Sequence, residues 1–86
     1  QLADLHYCQA EGDFVRLVLT DGILLVGQTL AYFENLLADY GVLRVHRSYL
    51  LRLDALTKLE GNRAHTPRGI VPVGRTYREG LLQRLG

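Results

Sequence analysis

Asp21 and Gly22 stand between two runs rich in aliphatic and β-branched residues, Phe14 to Leu19 and Ile23 to Val26. Such a dipeptide is a strong hairpin signal, because a two-residue turn of type I′ requires positive φ at both of its central positions. The pair therefore commits the first third of the chain to antiparallel β structure. Just upstream, Leu5 to Ala10 reads as another strand, closed by the turn chemistry of Glu11, Gly12 and Asp13. The 86 residues suffice for one domain, residues 1–86, with a small core. A hydrophobic fraction of 48% is that of an ordered globular chain, not a disordered tail.

Two helices are expected. Thr29 is a good N-cap, and Leu30, Phe33, Leu37 and Tyr40 follow on one helical face before Gly41 supplies a stop. This helix should pack on the sheet, with Glu34, Asn35, Ala38 and Asp39 turned outward. Near the end, Thr76 and Glu79 have the spacing of a capping box, and Tyr77, Leu81 and Leu85 share a face. Gly80 weakens that second helix by roughly 1 kcal/mol relative to alanine. Between them, Ile70 to Val73 reads as a strand. Pro72 cannot donate a ladder hydrogen bond, so this strand belongs at an edge or turns that side away from a neighbour.

Charge is distributed unevenly. Residues 1–43 sum to −5 and residues 44–86 to +6, although the whole chain carries only +1. Such a split hints at an anionic partner, with ordinary surface variation as the alternative. The run Arg44, Val45, His46, Arg47, Ser48, Tyr49, Leu50 sets two arginines and a histidine among apolar residues. A regular strand through it would turn Arg47 to the face of Val45, Tyr49 and Leu51, where an unpaired charge costs several kcal/mol. The strand should break there, sending Arg47 outward and returning Tyr49, Leu50, Leu51 and Leu53 to the core. His46 then has two readings: a DNA contact, or a half-buried ring bonded to backbone at the break. A second basic cluster, Arg75 and Arg78, lies at the start of the last helix. Free N–H groups and guanidinium forks could meet phosphate oxygens there, unless both arginines pair with acidic residues of the N-terminal half.

Catalysis is poorly supported, and no catalytic residue is assigned. Ser48 lies near His46 without an orienting third group, Glu11 and Asp13 read as solvated turn charge, and no glycine-rich phosphate loop occurs. Cys8, the one cysteine, reads as a buried structural thiol and leaves no internal disulfide. His6, His46 and His65 lack ligand spacing, so neither a metal nor another cofactor is expected. No apolar run reaches the roughly 18 to 20 residues that a membrane span needs. No signal peptide is recognisable, and the chain is expected to be soluble and cytoplasmic.

The motifs together resemble a known family. Asp4 to Tyr7 with Ala10 to Val15, then Thr29 and Leu30, Arg44 to Leu50, and Val71 to Arg78 are similar to the LytTR DNA-binding domain. Its patterns there are D-I-x-Y-I-E-A-E-G-N-Y-V, T-L, R-V-H-R-S-Y-L and I-P-V-S-R-R-Y-R, and the likeness runs in order over nearly the whole chain. The resemblance implies a mainly β domain of about ten short strands in small packed sheets with two short helices and no helix-turn-helix. It also implies the output domain of a bacterial transcription regulator of a two-component system, with an N-terminal receiver or other sensor domain elsewhere in a longer chain. Such a domain inserts loops into successive major grooves of double-stranded DNA, on paired repeats, as a dimer. The implied contacts are Asp13 and Phe14, then Arg44, His46 and Arg47, then Arg75 and Thr76, with Arg78 on phosphate.

Several positions depart from the pattern. Gly74 replaces serine, Thr76 the second arginine, Phe14 a tyrosine, and Arg52 an asparagine, the last offering another phosphate contact. Cys8 and Gln9 replace isoleucine and glutamate, and both changes read as structural. Gly61 to Gly69 matches poorly, with Pro67 set against a regular hairpin. The family usually has one earlier strand, so the chain is expected to be a fragment. Gly74 and Thr76 favour an alternative: a protein-interaction module that has lost DNA binding and docks an acidic partner through its basic half. A single-stranded RNA binder ranks third, since of the seven aromatics only Phe14 looks loop-exposed.

Overall fold

The computed structural model describes residues 1–86. Its elements are β1 (Leu5–Glu11), β2 (Phe14–Leu19), β3 (Gly22–Val26), α1 (Leu30–Leu36), β4 (Val42–His46) and β5 (Tyr49–Arg52), followed by β6 (Lys58–Glu60), β7 (Arg63–Thr66), β8 (Gly69–Pro72) and α2 (Arg75–Leu85). The first five strands form an antiparallel sheet in the order β3-β2-β1-β5-β4, and the last three a second sheet, β6-β7-β8. The mainly β class with two helices and no helix-turn-helix is as expected. Eight strands are present where the resemblance implied about ten. No helix is long and apolar enough to cross a membrane.

Strand β5 explains the layering. Leu50 and Leu51 are consecutive and so point to opposite faces of the sheet, yet both are 0% exposed. Leu50 packs with Leu5, Cys8, Val15, Val42 and the α1 residues Leu30 and Phe33. Leu51 packs with Val45, with Ala64 and Val71 of the small sheet, and with Val73 and Leu81 of α2 and its approach. A strand covered on both faces must be a continuous apolar run. Each such side chain contributes roughly 1.5–3 kcal/mol by leaving water. Cys8 is buried in the first of these cores, and burial pushes its thiol up to about 12, as befits a structural cysteine.

The strand break at Arg47 takes the form of a complete reversal. Arg47 and Ser48 make the two-residue turn between β4 and β5, and Arg47 is exposed there. The Gly61–Gly69 segment, poorly matched to the family pattern, is regular: β6 and β7 turn at Gly61–Asn62, and β7 and β8 at Pro67–Arg68. Proline's fixed φ is no obstacle in a turn. Pro72 ends the edge strand β8, as its missing N–H requires.

Four local expectations fail. Leu19 pairs with Gly22, so the β2–β3 hairpin turns at Thr20–Asp21, and Gly22 belongs to β3 without positive φ. Long-range bonds hold this turn in place. The Thr20 N–H donates to Asp4 O at 2.8 Å, its hydroxyl lies 3.1 Å from His6 Nε2, and the Arg68 guanidinium donates to the carbonyls of Leu19 and Thr20.

Helix α1 starts on Thr29, whose Oγ1 accepts the Tyr32 N–H at 3.0 Å, but it ends at Leu36. The chain then tightens to a 3-10 turn over Ala38–Tyr40, which rotates Tyr40 away from the core to 60% exposure before Gly41 closes it at φ 76°. Thr76 and Glu79 form no capping box, because Gly74 is the N-cap of α2 and Thr76 is its second residue. The Gly74 N–H bonded to Val45 O at 2.7 Å fixes that start. Leu85, expected on the buried face, is 45% exposed in the last turn.

His6 supplies a pH prediction. Burial, then the charges of Arg52 and Arg68, lower its pKa from the ordinary 6.5, with Asp4 opposing. The unfolded chain therefore takes up this proton first as the medium is acidified. His6 thus stabilises the fold fully above about pH 6.5, and that contribution is lost as pH falls from there through its folded value. Melting temperature should drop between pH 7 and pH 5 more steeply for the natural chain than for His6→Gln, which keeps a donor toward Thr20 without titrating. Parallel slopes would contradict the assignment.

Candidate nucleic-acid interface

Antiparallel pairing brings distant segments to one end of the five-stranded sheet. Gln9 of β1 pairs with Tyr49 of β5, and the Ala10 N–H donates to Ser48 O at 2.9 Å. The β1–β2 turn at Gly12–Asp13 and the β4–β5 turn at Arg47–Ser48 therefore emerge side by side. The start of α2 joins them through the Gly74 bond to Val45 O, and a Cβ built on Gly74 would lie 3.7 Å from His46 Cα. Arg75, one residue past Gly74, and Arg47, one residue past His46, consequently share this end. Neither side chain makes an internal hydrogen bond or ion pair, and both are exposed. They do not pair with the acidic half.

The other expected contacts divide in two. Asp13 is exposed, and Phe14 is 50% exposed beside it; both flank an open cleft of about 420 Å³ that reaches Gly27, Gln28 and Thr29. Thr76 is exposed in the first turn of α2, whose leading N–H groups have no side-chain cap. Arg78 lies in the same turn of α2 and donates to Gly61 O rather than to any carboxylate.

Arg44 and Arg52, by contrast, are engaged inside the fold. The Arg44 guanidinium bonds Glu34 Oε1 at 2.7 Å, His46 O at 3.1 Å and Arg47 O at 2.5 Å. It is a strut from α1 to the β4–β5 turn, and it draws Glu34, expected outward, into a half-buried pair. Arg52 lies at the far end of β5 from that turn. Its donors go to Leu5 O at 2.5 Å and Ala3 O at 3.0 Å, with Asp54 3.5 Å away. The geometry thus ties these two arginines into the fold by structural bonds.

His46 fulfils its backbone reading. Half-buried, it accepts the Ser48 N–H on Nδ1 at 3.0 Å. One basic residue escaped the sequence reading. Arg63 opens β7 opposite Pro72, while Val73 N–H bonds Asn62 O at 2.8 Å, which sets an exposed guanidinium next to the α2 start. Only the β7–β8 pairing reveals this, since an arginine after a Gly–Asn turn is unremarkable by itself.

The free cations here are Arg47, Arg63 and Arg75, backed by the helix N-terminus and Arg78. Such a set neutralises a polyanion through positioned forks and backbone N–H groups. Asp13, Phe14 and His46 add an acceptor, an apolar ring and an imidazole edge. The family model described as "LytTr DNA-binding domain" matches residues 1–86. Among solved structures, a LytTr DNA-binding domain from Bacillus cereus superposes with a TM-score of 0.88 at 20% identity, covering 98% of this chain and 83% of that one. No curated protein sequence matches.

Proposed function

Because the chain belongs to the LytTr DNA-binding domain family, we propose that it binds double-stranded DNA in a sequence-specific way, as the output domain of a transcription regulator. The observation that carries this reading is the convergence of Arg47 and Arg75, both exposed and unpaired, at the end of the sheet where the β1–β2 turn also emerges. Backbone contacts set register, and base edges supply specificity. Arg63, Arg75, Arg78 and the first N–H groups of α2 take phosphate oxygens. The β4–β5 turn enters a major groove, where Arg47 presents a fork suited to guanine O6 and N7. Asp13 can accept from a cytosine amino group, and Phe14 can meet a thymine methyl. The related Bacillus cereus domain is described as part of a response regulator. In our reading the full-length chain carries a receiver or other sensor domain, and the domain acts on paired repeats as a dimer.

Titration with duplex DNA at several salt concentrations tests the reading. With three to five phosphates neutralised, log K should fall against log salt with a slope of roughly −3 to −5. Binding absent at low salt, or insensitive to salt, would leave the basic end to an acidic protein partner instead.

A further inference from the structure

The two edges of the five-stranded sheet differ. Along β4 the chain is covered by α2 and its approach, where the Gly74 N–H bonds Val45 O. Strand β3, at the other edge, pairs with β2 alone. Leu19 and Gly22 close the two-residue turn as a hydrogen-bonded pair, and such pairs alternate along an antiparallel ladder, so Leu24 and Val26 also bond to β2. The N–H and C=O groups of Ile23 and Leu25 therefore point out from the edge. Nothing in β3 guards them. Edge strands are ordinarily blunted by charged side chains, proline or bulges. Gly22, Ile23, Leu24, Leu25 and Val26 include no charge and no proline, their register with β2 is unbroken, and the three central side chains are about half exposed.

Leu24 opens onto an apolar groove of about 270 Å³, with Leu2, Leu17, Leu19, Phe33 and Leu37 in its walls. Ile23 and Leu25 lie on the opposite face of the strand. At the Gly22 end the apolar surface runs into a second cleft, of about 360 Å³, which shares Leu19 and Leu24 and is bordered by Asp4 and Asp21. Asp21 is exposed and in no ion pair, and no arginine, lysine or histidine lines either cleft. Arg68, on the neighbouring turn, directs its guanidinium to the carbonyls of Leu19 and Thr20. This end of β2 is about 17 Å from the Gly12–Asp13 turn and the DNA-facing end, at 3.4 Å per residue.

We propose that the β3 edge is a docking site for an extended peptide segment of a second protein, apolar along its length and basic at its C-terminal end, which adds antiparallel to β3 as a sixth strand. Main-chain bonds to Ile23 and Leu25 hold such a peptide, and its alternate side chains enter the groove beside Leu24 or cover Ile23 and Leu25. Antiparallel pairing is the stronger kind, and it sets the C-terminal end of the peptide beside Gly22, next to Asp4 and Asp21. Charge selects the occupant. Residues 1–43, which form this side, sum to −5, so they repel DNA and repel a second copy of themselves. A second copy paired antiparallel through β3 would also turn the two DNA-facing ends in opposite directions. A basic peptide complements the site and leaves the DNA-facing end free.

The test selects peptides from a random dodecapeptide library displayed on phage, with this chain as the target, and measures synthetic copies of the winners. Selected sequences should carry a run of apolar residues followed by lysine or arginine. A bound peptide should slow hydrogen exchange at the Ile23 and Leu25 amides at least about tenfold. N-methylation of every second peptide amide should abolish binding in one phase of the alternation and spare it in the other, because only alternate amides face β3. The doubly substituted chain Asp4→Asn, Asp21→Asn should bind the peptide roughly fivefold more weakly at low salt. The inference is overturned if no peptide of this pattern is selected, if both phases of N-methylation act alike, or if the asparagine chain binds as tightly as the natural one. Slow exchange at Ile23 and Leu25 in the free chain would also overturn it, and slowing that grows with protein concentration would identify a second copy as the occupant instead.

Discussion

Alanine at both Arg47 and Arg75 should lower duplex affinity at least about thirtyfold and leave the fold intact. A well-placed arginine contact is worth about 1–3 kcal/mol, whether it reads a base or anchors a phosphate within a network. The two sites lie on separate segments, so their losses should add to about 2–6 kcal/mol. Neither guanidinium bonds to the rest of the protein. Melting temperature should therefore barely move, since surface replacements of this kind stay within about 0.5 kcal/mol. Each lost phosphate contact should also flatten the salt slope by roughly 0.9. Arg84→Ala, in the last turn of α2, is the matched control. Folded double-mutant protein with unchanged affinity by fluorescence anisotropy would refute the interface.

Leu51→Ala carries the largest expected effect on stability. Its side chain is fully enclosed between the five-stranded sheet and the layer made by the small sheet and α2. Emptying that site costs about 2–5 kcal/mol in lost transfer energy and cavity. A domain of this length holds only about 4–13 kcal/mol in total, so the variant should lose a large fraction of its stability. Leu24→Ala, on the exposed edge strand β3, should change little by comparison. Urea denaturation measures both. A cost below about 1 kcal/mol at Leu51 would mean that the two layers do not close over β5.

The same contrast bears on which arginines can be read from the chain alone. Arg44 and Arg47 lie three residues apart in one family-like motif, and both were expected to touch DNA. Arg44 is tied into the fold because Glu34, ten residues earlier on α1, lies within 2.7 Å of its guanidinium. Arg52 is tied in by carbonyls 47 and 49 residues away. The alternative pairing of Arg75 and Arg78 with acidic residues did not form, and Arg78 took a backbone carbonyl of the β6–β7 turn. Arg63 gained a place because β7 pairs with β8. No local pattern distinguishes these outcomes.

Legible from residue order were the features whose causes lie within a few residues. Thr29 capping α1, Gly41 ending the segment after it, the strand break at Arg47 and the edge position of Pro72 all follow from short-range sterics, hydrogen bonding and the cost of burying charge. The family-like motifs likewise indicated the mainly β class. Folding in three dimensions settled the rest: the turn at Thr20–Asp21, the start of α2 at Arg75, and the division of the arginines into struts and free cations. Charge and turn propensity belong to a residue and its neighbours. Whether a donor finds an acceptor depends on groups that only the packed sheets bring within 3 Å or so, and unmet donors at the protein surface are the ones left for a ligand.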